Sequence, residues 1–206
     1  KSKKKKLFVF FFIIALFFWW CVSAGKLFNA PYSTVIRSTN GDLLSARIAT
    51  DGQWRFPYSD SIPEKYKKAA IYFEDEYFNY HLGVNPVSIF RAFSQNIFSD
   101  KIVSGGSTLT MQLIRLSRKG RSRTYFEKII EMSLAIRLEL THSKAEILNL
   151  YASHAPFGGN VVGLEAASWR YYGRSSGLLS WGEIATLAVL PNAPSLIYPG
   201  KNQELL

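Results

Sequence analysis

The chain opens on an apolar run. Leu7 to Gly25 reads LFVFFFIIALFFWWCVSAG, without one charged position, close to the roughly 20 apolar residues a helix needs to cross a bilayer core. From Tyr32 to Phe56 the rhythm is that of short strands. Val35-Ile36, Asn40-Gly41 and Leu43 to Ile48 predict a β-hairpin with a two-residue type I′ turn. Asp51-Gly52 then turns the chain into Gln53 to Phe56. After Pro57 the pattern is helical. Ser61-Ile62-Pro63-Glu64 predicts a capping box with proline in the first turn, and Ile62, Tyr66, Ala69, Ala70, Phe73 and Tyr77 follow at helical spacing. Asn85-Pro86 opens a second helix with Ile89, Phe90, Phe93 and Ile97 on one stripe. Ser143-Lys144-Ala145-Glu146 and Ser180-Trp181-Gly182-Glu183 are further capping boxes. Gly173 ends a helix over 165–172, and Pro191 and Pro194 close the last one.

One predicted helix, Thr124 to Leu140, has apolar residues around most of its circumference (Phe126, Ile129, Ile130, Met132, Leu134, Ile136, Leu138 and Leu140). A helix of that kind is expected to be buried. Thr124, Glu127, Lys128, Glu131, Ala135 and Glu139 fall on one narrow side, which must then face a cleft or buried partners.

Charge sharpens this picture. The formal net charge is +10, and five of the lysines stand within Lys1 to Lys6, before the apolar run. Such an arrangement keeps the N-terminus in the cytoplasm and the rest outside, with Trp19 and Trp20 as an interfacial belt. A cleaved leader ending at Val22-Ser23-Ala24 is the alternative; the bulk and length of the run favour an anchor. Cys21, the single cysteine, lies in this run, so the outer part has neither disulfide nor thiol chemistry. The expected organisation is a basic tail (1–6), a transmembrane anchor (7–25), a short β-hairpin region (30–57) and one mainly α domain (58–206). The basic excess suits an anionic membrane surface or a diphosphate better than nucleic acid, given the anchor.

The candidate chemistry sits in two stretches. Glu74-Asp75 precedes an aromatic cluster with Phe78 and His81. Neighbouring carboxylates raise one pKa when buried, which suits a general base; a solvated acidic helix end is the plain alternative, and His81 reads first as a core histidine. Ser104-Gly105-Gly106-Ser107-Thr108, followed by Thr110 and Gln112, is a glycine turn opening a helix, whose amides would face an anion. No lysine follows the glycines, so it is not a Walker loop. Arg115, Arg118, Lys119, Arg121 and Arg123 come next, read as a solvated basic loop or a contact for diphosphate or anionic headgroups. Lys128 and Glu131 form an i,i+3 pair. Glu146 has a sufficient explanation as the acid of a capping box. No histidine shows metal-ligand spacing.

These residues, in order, resemble the peptidoglycan glycosyltransferases of glycosyltransferase family 51, which occur as the polymerase domain of class A penicillin-binding proteins and as monofunctional transglycosylases. Five blocks match: Glu74-Asp75 to Gly83; Gly105-Gly106-Ser107-Thr108 to Gln112; Lys128 to Glu131; Lys144 to Gly158; and Ala166-Ala167 to Pro194. Ala155 to Gly159 and Ala167-Ser168-Trp169 are most similar to the type 1C branch. The resemblance implies a lysozyme-like fold with a membrane-dipping jaw, formed by the helix 86–98 and the loop to Gly105. It implies polymerisation of lipid II outside the inner membrane, with release of undecaprenyl diphosphate. Glu74 matches the general base and Glu131 the second essential carboxylate, which helps to hold the donor diphosphate. Asp75, Phe78, His81, Ser107, Thr110, Gln112, Arg115, Lys128, Lys144 and Glu146 match or adjoin substrate-side positions. No cofactor is obligatory; a divalent ion, Mg2+ or Mn2+, near Glu131 is an option. The implied partners are lipid II, the growing glycan strand, membrane lipid and other cell wall synthesis proteins, not nucleic acid. Glu127, Asn149 and Ser153 depart from the family pattern of Arg, Glu and Asn, and Glu127 reverses a charge near the diphosphate. A glycan-cleaving lysozyme-like enzyme and a non-catalytic lipid II scaffold are the rival readings; the basic stretch argues against the first, Glu74 and Glu131 against the second.

Overall fold

The computed structural model describes residues 25–57, 61–97, 106–119, 121–122, 124–192 and 194, with residues 5, 7, 8, 10, 11 and 20 of the N-terminal run. Most of the expected anchor, the side chains of Phe93 and Ile97, and Phe98, Gly105 and Arg123 lie outside these. Among the described residues no helix is long and apolar enough to cross a membrane.

The fold is mainly helical with two small sheets. Strands β1 (Thr34–Arg37) and β2 (Leu43–Arg47) pair antiparallel, with Val35 opposite Ala46. The predicted type I′ turn at Asn40-Gly41 is not what joins them. Gly41 N–H donates to the Ser38 carbonyl, and the Ser38 hydroxyl accepts from the N–H groups of Asn40 and Asp42. The serine thus shifts the turn to Ser38–Gly41 and leaves an irregular register after Ile36. A second sheet was not legible beforehand: β3 (Trp54–Arg55) pairs in parallel with β4 (Val161–Val162), two residues each.

Helix α1 (Glu64–Glu74) starts later than its sequence signal. Pro63 is its N-cap and no side chain caps it, because the proline, not Ser61, holds the extended residue at the entry. Helix α2 (Pro86–Ile97) has proline at its first position, and the Asn85 side chain accepts from Val87 and Ser88 N–H. Helix α3 (Leu109–Ser117) is capped by Thr108 and α4 (Tyr125–Thr141) by Thr124. The predicted capping boxes at Ser143/Glu146 and Ser180/Glu183 start α5 (Lys144–His154) and α7 (Trp181–Val189). Between them, α6 (Leu164–Tyr172) ends on Gly173, which is left-handed at φ 67°.

The core gathers Tyr66 and Ala70 of α1, Met111 and Leu113 of α3, Ile147 and Tyr151 of α5, and Ile184 and Leu187 of α7. Helix α1 packs on α7, and α3 lies between α4 and α5. The expectation for α4 needs correction. It is not buried all round: its buried residues are Glu131, Ala135 and Leu138, whereas Tyr125, Phe126, Ile129, Ile136 and Leu140 are exposed. The charged side faces inward because partners for its three carboxylates, Glu127, Glu131 and Glu139, wait there. The inward approach is close, since a Cβ on Gly83 would stand 2.6 Å from the Ala135 carbonyl oxygen; only glycine, here at φ 78°, fits that contact.

Candidate active site on helix α3

The site is organised by α3. Its first free N–H, that of Leu109, donates to Asp75 Oδ2 at 3.0 Å. The N–H of Met111 donates to the Thr108 hydroxyl at 3.2 Å, and that hydroxyl donates to the Gly83 carbonyl at 2.6 Å. The expected anion-binding helix start is thereby partly filled by the protein's own carboxylate, because Asp75 stands where an external anion would. His81 Nε2 sits 3.0 Å from both Asp75 oxygens and locks the carboxylate in place. Phe78 is 1% exposed, beneath the Lys144 ammonium at 4.4 Å. Asp75, His81 and Phe78 are therefore taken up inside the protein and position the site.

Glu74, the adjacent residue, ends α1 and points elsewhere. Its Oε2 accepts from Gln112 Nε2 at 2.6 Å; its Oε1 is out of water and has no hydrogen-bond partner among the described residues. Burial pushes its pKa above the ordinary carboxylate range; the Gln112 amide pulls it back in part, and the Asp75 charge adds to the rise. Tyr151 donates to Gln112 Oε1 at 3.4 Å, so the amide is held with its NH2 towards Glu74. Burial, and then the Glu74 charge, hold the Tyr66 phenol protonated, and its hydroxyl also lacks a partner. Tyr66 had no signal in the sequence beyond its place on the apolar stripe.

One turn further along α3, Arg115 bridges to α4. Its Nε and Nη2 each lie 2.9 Å from one oxygen of Glu131, and Nη2 also donates to the Ser107 hydroxyl at 3.2 Å. Lys128 donates to that same hydroxyl. Two cations thus converge on Ser107 at the mouth of α3, beside Gly106, where a Cβ would press to 2.9 Å on Ile89 Cα of α2. Glu131 is 5% exposed, with both oxygens committed to Arg115. Among the described residues no group of three or more metal-ligand side chains occurs.

Thr110 and Lys144 lie behind this surface. Both bond Glu139 Oε1, at 2.6 and 2.8 Å, and Lys144 also donates to the His81 carbonyl at 2.6 Å. Glu139 was visible in the sequence only as one member of the α4 stripe; it anchors the lysine and the threonine. Glu146 accepts from the N–H and hydroxyl of Ser143, the capping role its spacing suggested. Glu127 pairs with Arg118, which holds its carboxyl below the usual range, so the reversed charge is locally neutralised. Asn149 is buried on α5. The Ser153 carbonyl lies where a Cβ on Gly163 would come to 2.7 Å.

Residues 41–206 match the family model described as transglycosylase. The chain belongs to the transglycosylase family. It is 44% identical over 171 residues, 82% of its length, to penicillin-binding protein 1C of Escherichia coli strain K12, of which that match is 22%. It is 42% identical over 153 residues to penicillin-binding protein 1A of Aquifex aeolicus, covering 74% of this chain and 21% of that protein. A putative transglycosylase of Cupriavidus necator is 37% identical over 141 residues, 68% of this chain and 61% of that one. The chain spans about a fifth of the length of the two penicillin-binding proteins.

Proposed function

We propose that this domain is the peptidoglycan glycosyltransferase of a class A penicillin-binding protein, polymerising lipid II into β-1,4 glycan outside the cytoplasmic membrane, with a lysozyme-like fold and residues 7–25 as its anchor. The observation that carries the mechanism is the unequal state of the two Glu74 oxygens. Oε2 is held by Gln112, while Oε1 has no donor. An acceptor sugar 4-hydroxyl supplies the missing donor. As its oxygen attacks the donor anomeric carbon, the proton passes to Glu74, the new C–O bond forms and the bond to undecaprenyl diphosphate breaks with its electron pair on the leaving oxygen. A single displacement inverts the anomeric centre. The raised pKa of Glu74 strengthens it as a base near neutral pH.

The negative charge that develops on the diphosphate is met by Arg115 and Lys128, which already share the Ser107 hydroxyl. Glu131 acts through Arg115, whose guanidinium it fixes in a two-point grip. The donor set around Glu131 is cationic, so side chains rather than a metal ion take the leaving group's charge in this reading.

The test is polymerisation of labelled lipid II by the detergent-purified chain, with Glu74→Gln alongside. Long glycan that disappears in the variant supports the transferase and its base. Lipid II binding without polymer would favour a scaffold, and shortening of preformed glycan would reverse the direction of the chemistry.

A further inference from the structure

A cavity of about 440 Å³ lies at the far end of α3 from the site above. Leu27, Phe28 and Asn29 line one side of it, and Ser117, Lys119 and Arg121 the other. Phe28 is fixed by stacking on the His154 ring, with centroids 3.8 Å apart. No carboxylate lines the cavity. Arg118, which also borders it, is bonded by Glu127; Lys119 and Arg121 form no ion pair among the described residues. The lining of the cavity therefore carries three cations and no carboxylate, with Glu127, outside the lining, meeting Arg118 and lying near Arg121.

Two further observations bear on what fills it. Leu27 comes two residues after Gly25, the end of the apolar run, and two extended residues span only about 7 Å. Directly after the basic stretch, α4 opens with Tyr125, Phe126 and Ile129 exposed to 95%, 72% and 63%. Cations beside exposed aromatic and aliphatic groups are the pattern of a headgroup boundary.

We infer that this cavity holds the phosphate of an anionic membrane lipid, a phosphodiester headgroup, with Lys119 and Arg121 as its counter-charges and Tyr125, Phe126 and Ile129 entering the acyl boundary beside it. The two sites draw on different polar groups: the diphosphate cations Arg115 and Lys128 converge on Ser107, before the start of α3, whereas the cavity is lined by Leu116 to Lys119 and Arg121, at and past its last turn. The inference rests on the anchored reading of residues 7–25.

The experiment titrates the full chain in uncharged detergent, by calorimetry, with dihexanoyl phosphatidylglycerol, dihexanoyl phosphatidylcholine and inorganic phosphate. The expected result is a preference of about tenfold or more for phosphatidylglycerol over phosphatidylcholine, lost in the Lys119→Gln/Arg121→Gln double variant. Thermal melting of the variant is followed alongside, so that a folding defect is seen as such. Equal binding of the two lipids by the wild type overturns the proposal. Inorganic phosphate binding as tightly as phosphatidylglycerol assigns the cavity to free phosphate and overturns the lipid source. A preference that survives the double variant places the headgroup elsewhere and overturns it too. The titration needs no glycosyl transfer, so the same preference in Glu74→Gln, or in a chain that makes no glycan, supports the cavity independently of the proposed reaction.

Discussion

Glu74 and Glu131 are both carboxylates withdrawn from water, one turn of α3 apart in their partners, yet the protein treats them oppositely. Glu131 has an arginine across both oxygens. Glu74 has one neutral amide on one oxygen and nothing on the other. Saturation makes Glu131 a fixed point that orients a cation. An open valence and a raised pKa make Glu74 a group that gains from taking a proton. The contrast teaches that within a buried polar network the reactive member is the one left incompletely bonded, at a cost in stability.

The largest effect that would break this contrast is on turnover. Glu74→Gln is expected to lower kcat for lipid II polymerisation on the order of 10³-fold, the range for loss of a general base. A loss under tenfold would remove Glu74 from the chemistry. Glu131→Gln separates the two carboxylates by stability. It leaves the Arg115 guanidinium, 32% exposed in its side chain, facing a neutral amide, and is expected to cost about 2–3 kcal/mol, less than a fully buried pair because water still reaches the arginine. Thermal melting of the purified chain measures this, and an unchanged Tm would mean the grip contributes nothing.

Glu74→Gln is expected to move stability the other way, with a higher Tm than the wild type at neutral pH. The sign follows from the raised pKa. The folded state disfavours ionised Glu74, so the penalty is complete above its folded pKa and vanishes below the ordinary glutamate pKa of about 4.3. The advantage of the variant should therefore be present at neutral pH and fade as pH falls through the acid range. A gain that persisted at pH 3 would have another origin. Gln112→Ala sharpens the same point kinetically. The amide favours the ionised form, so removing it raises the Glu74 pKa further, and the rising limb of kcat against pH should shift to higher pH. A shift to lower pH would show that the amide does not stabilise the anion.

Local signals were legible wherever a single side chain completes a helix end. Ser143 with Glu146, Ser180 with Glu183, Pro86 after Asn85, and Gly173 all act over a few residues and are where their spacing put them. The acidic stretch and the glycine turn were each singled out by their residue types as candidates for chemistry. What the spacing could not say is that the two stretches bind each other. Asp75 meets Leu109 N–H across 34 residues and Glu74 meets Gln112 across 38, contacts made only once the fold brings the end of α1 to α3. The inward turn of the charged side of α4 was expected, but the exposure of its apolar residues was missed for a related reason. Apolar periodicity ranks faces by solvent preference, but Arg115, Thr110 and Lys144 supply partners that draw Glu131 and Glu139 inward. Strand β3 lies within the strand stretch read to Phe56, but its partner β4 is too short for any pattern, and the turn at Ser38 depends on one hydroxyl competing with the Asn40-Gly41 preference.

The smallest effect concerns Glu146, where a local role and a substrate role are both open to test. Its carboxylate closes the capping box of α5 from an exposed position, and its contacts with Ser143 hold its pKa below the usual range. Glu146→Ala should lower the Tm slightly, as the loss of a cap does, and Ser143→Ala should lower it by about as much. The double variant should cost little more than either single change, since one box is lost only once. Lipid II KM in the two single variants then separates the roles. If the carboxylate serves only the cap, Glu146→Ala and Ser143→Ala raise KM alike, through the shared loss of helix order that also sets Lys144 beneath His81. A larger rise in Glu146→Ala alone would mean that the same carboxylate also reaches the substrate, and that the capping box is one of two uses for it.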